Sequence, residues 1–199
     1  MPIKNWKNEL LTIPNMLSIF RLILIPVYMV IYLQAETAGD FYYYVSGGIL
    51  AVSCLTDAID GKIARHFNMI SNLGKILDPL ADKATQLALI VCLALRYSIL
   101  WLLIGLFVVK ESFQVIAGLC ILRKGKILSG AHISGKICTA VLFISLILMV
   151  LFPHLDIRVI YGLTILDAIL LIISFINYAR IYYTHSPMIQ ELNEEKKDA

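Results

Sequence analysis

Residues 157–179 read IRVIYGLTILDAILLIISFINYA, an apolar run that carries a single acid, Asp167. A helix needs about 20 such residues to cross the hydrocarbon core of a bilayer. Five further runs of similar character lie at about 15–33, 41–59, 76–95, 98–122 and 137–153. We therefore predict an all-α integral membrane protein with six transmembrane helices.

The composition agrees with this fold class. Of the 199 residues, 59% are hydrophobic and 16% are charged, and the mean hydropathy is +0.81. A chain of this kind is too apolar for an ordinary soluble domain. The net charge of +3 is too small to suggest a nucleic-acid partner. We expect membrane lipids around the protein and no bound nucleic acid.

The chain divides into three predicted segments. Residues 1–14 form an N-terminal interfacial segment, residues 15–183 the six-helix transmembrane domain, and residues 184–199 a tail. In the first segment, apolar side chains recur at helical spacing, at Ile3, Trp6, Leu10 and Ile13. This spacing predicts a short helix in the headgroup region, with a frayed terminus as the alternative.

The basic residues predict the orientation of the chain in the membrane. Lys and Arg are concentrated in the N-terminus, the second and fourth loops and the C-terminal tail. Because cytoplasmic segments carry the excess of Lys and Arg, both termini are predicted to be cytoplasmic. Three cations, Arg21, Lys83 and Lys110, fall inside the apolar runs. Each of them needs a partner or a function there.

Residues 57–82 read DAIDGKIARHFNMISNLGKILDPLAD and contain the acids Asp57, Asp60, Asp78 and Asp82. On a helix, Asp57 and Asp60 share a face with Gly61 and Ala64, whereas Gly74, Asp78 and Asp82 share a face of the next helix. If these two helices pack as a hairpin, the two acidic stripes can face each other at the cytoplasmic side.

Four carboxylates at a membrane boundary need a positive charge between them, because one mid-span Asp already costs about 2.5 to 3.5 kcal/mol. Carboxylate oxygens favour Mg²⁺ or Mn²⁺. Two such ions about 4 Å apart can clamp a phosphoryl group during displacement. The small residues Gly61 and Ala64 would let a nucleotide or diphosphate approach, and Arg65 offers a planar fork for phosphate oxygens.

The same stretch matches D-x2-D-G-x2-A-R-x8-G-x3-D-x3-D at every fixed position and resembles the signature of the CDP-alcohol phosphatidyltransferases. The resemblance implies a homodimeric membrane enzyme that moves a phosphatidyl group from CDP-diacylglycerol to an alcohol and releases CMP. It implies two Mg²⁺ or Mn²⁺ ions bound by Asp57, Asp60, Asp78 and Asp82. Asp82 would also be the catalytic base. The implied CDP-binding residues are Gly61, Ala64, Arg65 and Gly74.

Residues 13–26, IPNMLSIFRLILIP, resemble the start of bacterial phosphatidylglycerophosphate synthases. This resemblance implies a bacterial plasma membrane, a cytoplasmic active site and sn-glycerol 3-phosphate as the small phosphorylated acceptor, with phosphatidylglycerophosphate as the product. An acceptor phosphate needs cations beyond Arg65. The candidates are Lys110, Lys124, Lys126, Lys136 and Arg180.

Two departures from that subgroup keep a second acceptor open. Lys110-Glu111 stands where Arg-Glu is expected, and the stretch from Ala117 to Cys120 lacks the expected arginine. Lys does not replace Arg where phosphate is gripped bidentately. Ser134-Gly135-Lys136 resembles the subgroup, but a similar sequence occurs in CDP-diacylglycerol-dependent cardiolipin synthases, whose acceptor is phosphatidylglycerol.

Structural or transport roles are the alternatives to catalysis. A cation transporter could use the acidic cluster as an ion pathway, whereas an intramembrane aspartyl protease is disfavoured because no Gly-x-Gly-Asp context is present. Lys83 can simply snorkel to the interface. Lys110 and Glu111 can form a buried pair. Asp167 is either a functional acid or the partner of a cation within the membrane.

Overall fold

A computed structural model describes residues 12–66, 74–123 and 133–184 of the chain. These residues form six helices, α1 to α6, and the prediction of an all-α fold is confirmed. Their bounds are Ile13–Ala38, Phe41–His66, Gly74–Arg96, Leu100–Arg123, Ile133–Leu151 and Ile157–Thr184. The predicted interfacial helix in residues 1–14 and the tail from residue 184 lie almost wholly outside the described residues.

Five of the six described helices are longer than the apolar runs that predict them, and α4 is of nearly the same length as its run. α1 continues through Gln34 to Ala38, and α2 continues to His66, although the corresponding apolar runs end at about residues 33 and 59. A helix satisfies its own backbone hydrogen bonds, so it can extend past the hydrocarbon into the headgroup region. Hydropathy therefore predicts the apolar part of each helix and not its ends.

The connection between α1 and α2 is only Gly39 and Asp40. Gly39 has a φ of 102°, a left-handed conformation that residues with a Cβ rarely adopt. Its N–H donates to the Ala35 carbonyl at 3.1 Å and closes the last turn of α1. The glycine thus ends α1 and allows the chain to reverse at once into α2.

Three of the described helices are long and apolar enough to cross a membrane. The segments are Asn15–Ala38, Leu100–Leu119 and Ile157–Arg180 in α1, α4 and α6. α2 and α5 hold shorter apolar segments, Phe41–Thr56 and Gly135–Leu151. α3 carries Asp78, Asp82 and Lys83 near its start. The number of helices agrees with the prediction, whereas six membrane crossings stay a prediction.

The chain forms two compact units, so the single domain over residues 15–183 also stays a prediction. The first unit contains residues 1–98 and 146–155, and in it α1 packs against both α2 and α3. Its aromatic cluster joins Tyr32 to Tyr43 at a ring distance of 5.3 Å. The Arg96 guanidinium lies 4.8 Å from the Tyr43 ring. These contacts fix the end of the unit nearest to Gly39.

The second unit contains residues 99–145 and 156–199. In it, α4 packs against α6, and the Phe113 ring lies edge-on to the Phe175 ring at 5.1 Å. Asp167 is fully buried, and its Oδ1 accepts a hydrogen bond from Ser145 Oγ at 3.1 Å. The sequence predicted a cation within the membrane as one possible partner of Asp167. Among its described contacts, the partner is instead the Ser145 hydroxyl.

Candidate active site

Asp78 and Asp82 lie in the first half of α3 and project from one face of that helix. Side chains at positions i and i+4 lie one above the other on a helix, as the sequence analysis expected. The two acids are 46% and 49% exposed. The helix starts at Gly74, and Pro79 follows Asp78 directly. Because proline has no N–H, the Lys75 carbonyl lacks its helical donor here.

A buried arginine of α1 meets this acid pair. Arg21 Nη1 lies 2.8 Å from Asp82 Oδ1, and Nη2 lies 3.9 Å from Asp78 Oδ1. Ser18, one turn earlier on α1, donates a hydrogen bond from its hydroxyl to Asp78 Oδ1. The side chain of Arg21 is 3% exposed. The cation thus approaches from the protein interior, and the acids remain open to the outside.

This role of α1 was not predicted from the sequence. Arg21 was identified there as a charge that needs a partner, but it was not assigned to the acids. Asn15, Ser18 and Arg21 recur every three residues, and all three are buried. Buried polar groups in an apolar helix are unfavourable unless they have partners. The spacing of these three residues was therefore the available signal for a polar face on α1.

A further polar side chain extends the acidic face of α3. Gln86 lies one turn beyond Asp82 and is 3% exposed. Its Oε1 has no hydrogen-bond partner within the described part of the chain. A buried acceptor of this kind costs about 1 to 3 kcal/mol when it is left unsatisfied. The polar face of α3 thus continues past the acids toward the C-terminal end of the helix.

The described half of the predicted metal site suits a hard divalent cation. Asp78 and Asp82 supply carboxylate oxygens, the ligand atoms that Mg²⁺ and Mn²⁺ prefer. The Arg21 guanidinium already forms an ion pair with Asp82. Asp57 and Asp60 belong to the last turns of α2, but their side chains are not among those that the structure describes. Among the described side chains, no group of three potential metal ligands is found.

The predicted CDP-binding residues are placed only in part. Gly61, Ala64 and Arg65 are helical residues of α2, as expected, and nothing is described of their side chains. Gly74 is the first residue of α3 and is buried. Their role, like the facing of the two acidic stripes, stays a prediction.

The described candidates for an acceptor phosphate all lie in the second unit. Lys110 is 4% exposed, and its Nζ lies 2.7 Å from Glu111 Oε1. The structure thus shows the predicted pair of Lys110 and Glu111, with Lys110 buried and the Glu111 side chain 18% exposed. Lys136 and Arg180 are exposed. Lys124 and Lys126 lie outside the described residues.

Lys136 and Arg180 lie at the same end of the second unit. A Cβ placed on Gly135, the neighbour of Lys136, would be 2.9 Å from Tyr178 Oη. The start of α5 therefore lies directly against the last turns of α6. Arg180 follows Tyr178 by two residues on α6. Each of the two exposed cations thus lies within two residues, in the sequence, of this close helix contact.

Comparison with known proteins gives one family and several named relatives. The sequence model of the family described as CDP-alcohol phosphatidyltransferase matches residues 11–179. A cardiolipin synthase (CMP-forming) of Streptomyces coelicolor is 37% identical over 113 residues, which cover 56% of this chain and 53% of the relative. The chain thus spans about half the length of that relative.

Two further relatives carry different names. A probable phosphatidylglycerophosphate synthase of Mycobacterium tuberculosis strain H37Rv is 27% identical over 145 residues, covering 73% of this chain and 68% of the relative. A probable cardiolipin synthase (CMP-forming) of Drosophila melanogaster is 35% identical over 120 residues, covering 60% and 35%.

Proposed function

The chain belongs to the CDP-alcohol phosphatidyltransferase family, and we propose that it transfers a phosphatidyl group from CDP-diacylglycerol to an alcohol and releases CMP. The observation that supports this most is the acid pair of α3. Asp78 and Asp82 share one face and contact Ser18 and Arg21 of α1. They occupy the last two acidic positions of the family signature.

In the proposed reaction, the acceptor hydroxyl oxygen attacks the phosphatidyl phosphorus. The bond between that phosphorus and the bridging oxygen of the diphosphate breaks, and CMP leaves with the electron pair. The hydroxyl proton passes to Asp82, which must lie within hydrogen-bond distance of the hydroxyl. The acceptor oxygen thus replaces CMP in a single displacement.

The proposed cofactors are two Mg²⁺ or Mn²⁺ ions held by Asp57, Asp60, Asp78 and Asp82. Bound there, such ions would neutralise charge on the phosphoryl oxygens and on the departing CMP. The CDP group would lie against Gly61, Ala64 and Gly74, where small residues permit close approach, and Arg65 would contact the diphosphate. The polar face of α1 would hold the acids of α3 in place.

For the acceptor, we propose sn-glycerol 3-phosphate, with phosphatidylglycerophosphate as the product. The exposed cations Lys136 and Arg180 support this choice, because a phosphate monoester needs charged donors. The resemblance of residues 13–26 and of Ser134-Gly135-Lys136 to phosphatidylglycerophosphate synthases supports it as well. Lys124 and Lys126 are further candidates from the same basic stretch.

Phosphatidylglycerol is the second candidate acceptor, which would make the protein a cardiolipin synthase. Two relatives that carry this name are 37% and 35% identical to the chain, against 27% for a relative named as a phosphatidylglycerophosphate synthase. The ion pair between the side chains of Lys110 and Glu111 also makes Lys110 a poorer candidate for a phosphate ligand, because its charge is already neutralised.

We further propose six membrane crossings, a homodimer and a bacterial plasma membrane, with both termini and the active site at the cytoplasmic face. Three long apolar helices and the basic second and fourth loops support the topology. An even number of crossings returns the C-terminus to the side of the N-terminus, which agrees with the placement of the Lys and Arg residues.

The decisive assay measures CMP release by the purified protein in lipid nanodiscs containing CDP-diacylglycerol, with Mn²⁺ and either glycerol 3-phosphate or phosphatidylglycerol. We expect release with glycerol 3-phosphate, its loss in EDTA, and a fall of about 10³-fold in Asp82→Asn. Glu36→Gln, an exposed acid of α1, is the control and should keep full activity.

Other outcomes of this assay contradict the proposal at different levels. Product formed only with phosphatidylglycerol would move the assignment to a cardiolipin synthase. Ion flux across vesicles without any CMP release would instead support the cation transporter. CMP release that is equal in Asp82→Asn and Glu36→Gln would remove Asp82 from the chemistry.

A further inference from the structure

The contacts between α1 and α3 join two polar residues of α1 to the two acids of α3. Ser18 contacts Asp78, and Arg21 contacts Asp82 at 2.8 Å with Asp78 also within 3.9 Å. Ser18 and Arg21 are three positions apart on α1, and the two acids are four positions apart on α3. Each spacing keeps its pair on one helix face. The two faces therefore meet in a fixed register.

We propose that Ser18 and Arg21 are positioning residues for the acid pair, and that Arg21 holds Asp78 and Asp82 as an internal counter-cation when divalent ions are absent. The inference rests on the proposed function in taking these two acids as metal ligands. It adds a role for α1, which supplies no residue of the predicted signature.

Two carboxylates one turn apart on a helix repel each other, and the repulsion is strongest where water is scarce. Arg21 lies on the buried side of the pair, whereas the acids are about half exposed. Its charge therefore offsets the repulsion without covering the exposed side, where an ion or a diphosphate would arrive.

The shape of the guanidinium matters as well as its charge. Its planar fork points one nitrogen to each acid, Nη1 to Asp82 and Nη2 toward Asp78. A lysine ammonium carries the same charge on one nitrogen and cannot span two carboxylates in this way. Arg21 can therefore fix the orientation of Asp82, and Ser18 that of Asp78, before any substrate binds.

A counter-cation differs from an ordinary structural ion pair in its effect on metal binding. With Arg21 in place, part of the repulsion between the acids is already relieved, so a bound divalent ion adds less stability. Without Arg21, more of this repulsion remains, and the acids attract the divalent ion more strongly. A purely structural arginine would change the stability of the protein by the same amount with and without metal.

The test measures thermal unfolding of purified wild-type protein, Arg21→Met, Arg21→Lys and Ser18→Ala in EDTA and in Mn²⁺, alongside CMP release. Arg158→Met, which removes an exposed cation of α6, is the control. We expect Mn²⁺ to raise the Tm of Arg21→Met by about 5 °C more than that of the wild type. In Arg21→Lys and Arg158→Met, the Mn²⁺ shift should stay close to the wild-type value.

The activity readout separates charge from geometry. We expect kcat to fall about 100-fold in Arg21→Met and about 10-fold in Arg21→Lys and Ser18→Ala, with the KM for the acceptor within about three-fold of the wild type. Equal Mn²⁺ shifts in the wild type and Arg21→Met, including no shift in either, overturn the inference. Full kcat in Arg21→Lys overturns the positioning role. A wild type that gains stability from Mn²⁺ but releases no CMP contradicts only the proposed function.

Discussion

Ser145 of α5 donates a hydrogen bond of 3.1 Å to Oδ1 of Asp167 in α6, and both side chains are buried. Asp167 Oδ2 has no hydrogen-bond partner in the part of the chain that the structure describes. The Ser145 hydroxyl therefore provides the described compensation for a carboxyl group inside an apolar helix. This relationship makes Ser145 a sensitive position for stability.

Ser145→Ala should lower the free energy of unfolding by about 1 to 3 kcal/mol, because it leaves a buried acceptor without its donor. Thermal unfolding in detergent measures the loss. Ser112→Ala, at an exposed position of α4, corrects for the higher helix propensity of alanine. A Ser145→Ala variant as stable as Ser112→Ala would show that the hydrogen bond contributes nothing.

Arg96 should stabilise the first unit through three contacts. Its guanidinium lies 4.8 Å from the Tyr43 ring centroid and 5.3 Å from that of Tyr97, and it donates to the Pro153 carbonyl at 2.9 Å. Arg96→Met should lower the free energy of unfolding by about 1 to 3 kcal/mol. Unfolding of Arg96→Met and of the exposed control Arg158→Met is compared, and equal losses would contradict the assignment.

A side chain at Gly135 should destabilise the second unit. Its built Cβ would lie 2.9 Å from Tyr178 Oη and 3.0 Å from Tyr178 Cε2, so Gly135→Ala must displace the ring. We expect a loss of about 1 to 3 kcal/mol from this crowding. Differential scanning of the variant in detergent measures it, and adding Tyr178→Phe should restore part of the loss.

The matched control for this crowding is Gly105→Ala on α4. No atom lies within 4 Å of its built Cβ, so the variant should gain about 0.5 to 1 kcal/mol from helix propensity alone. Equal behaviour of the two alanine variants would mean that the contact between α5 and α6 is loose at Gly135.

Lys136 should act on the acceptor and not on the lipid nucleotide. Lys136→Gln removes an exposed cation beside Gly135, and losing a charged contact to phosphate raises the KM for glycerol 3-phosphate by about 10-fold or more. The KM for CDP-diacylglycerol should change less than about two-fold. Steady-state CMP release provides both values, and Arg158→Gln is the control.

An unchanged acceptor KM in Lys136→Gln would place the phosphate elsewhere, with Arg180 as the next candidate. A KM that rises equally for both substrates would instead indicate a general disturbance of the second unit. The comparison therefore tests the acceptor assignment without depending on the acid pair of α3.

Hydropathy and helical spacing predicted the six helices and the common face of Asp78 and Asp82. The apolar runs were long, and an i, i+4 spacing has one geometric meaning on a helix. Helix ends were predicted less well, because polar residues such as Gln34 and Glu36 can continue a helix beyond the lipid. The pairing of Lys110 with Glu111 was anticipated only as one of two possibilities.

The contact of Arg21 with Asp82 could not be derived from local spacing. They are 61 positions apart in the sequence, and their contact depends on how α1 packs against α3. What the sequence did contain was a charged residue inside an apolar helix, which requires a partner. It did not contain the identity of that partner, which only the tertiary packing specifies.

The two-residue turn at Gly39 and Asp40 fixes the axial register between α1 and α2, that is, which residues of the two helices lie at the same distance from the turn. Arg21 and Asp57 each stand about 17 or 18 residues from this turn, or roughly 26 Å along a helix at 1.5 Å per residue. One residue inserted between the turn and either position would rotate that position by about 100°. Insertions or deletions in these two stretches should therefore disturb the fold far more than substitutions of single side chains. A turn of two residues is too short to compensate for them.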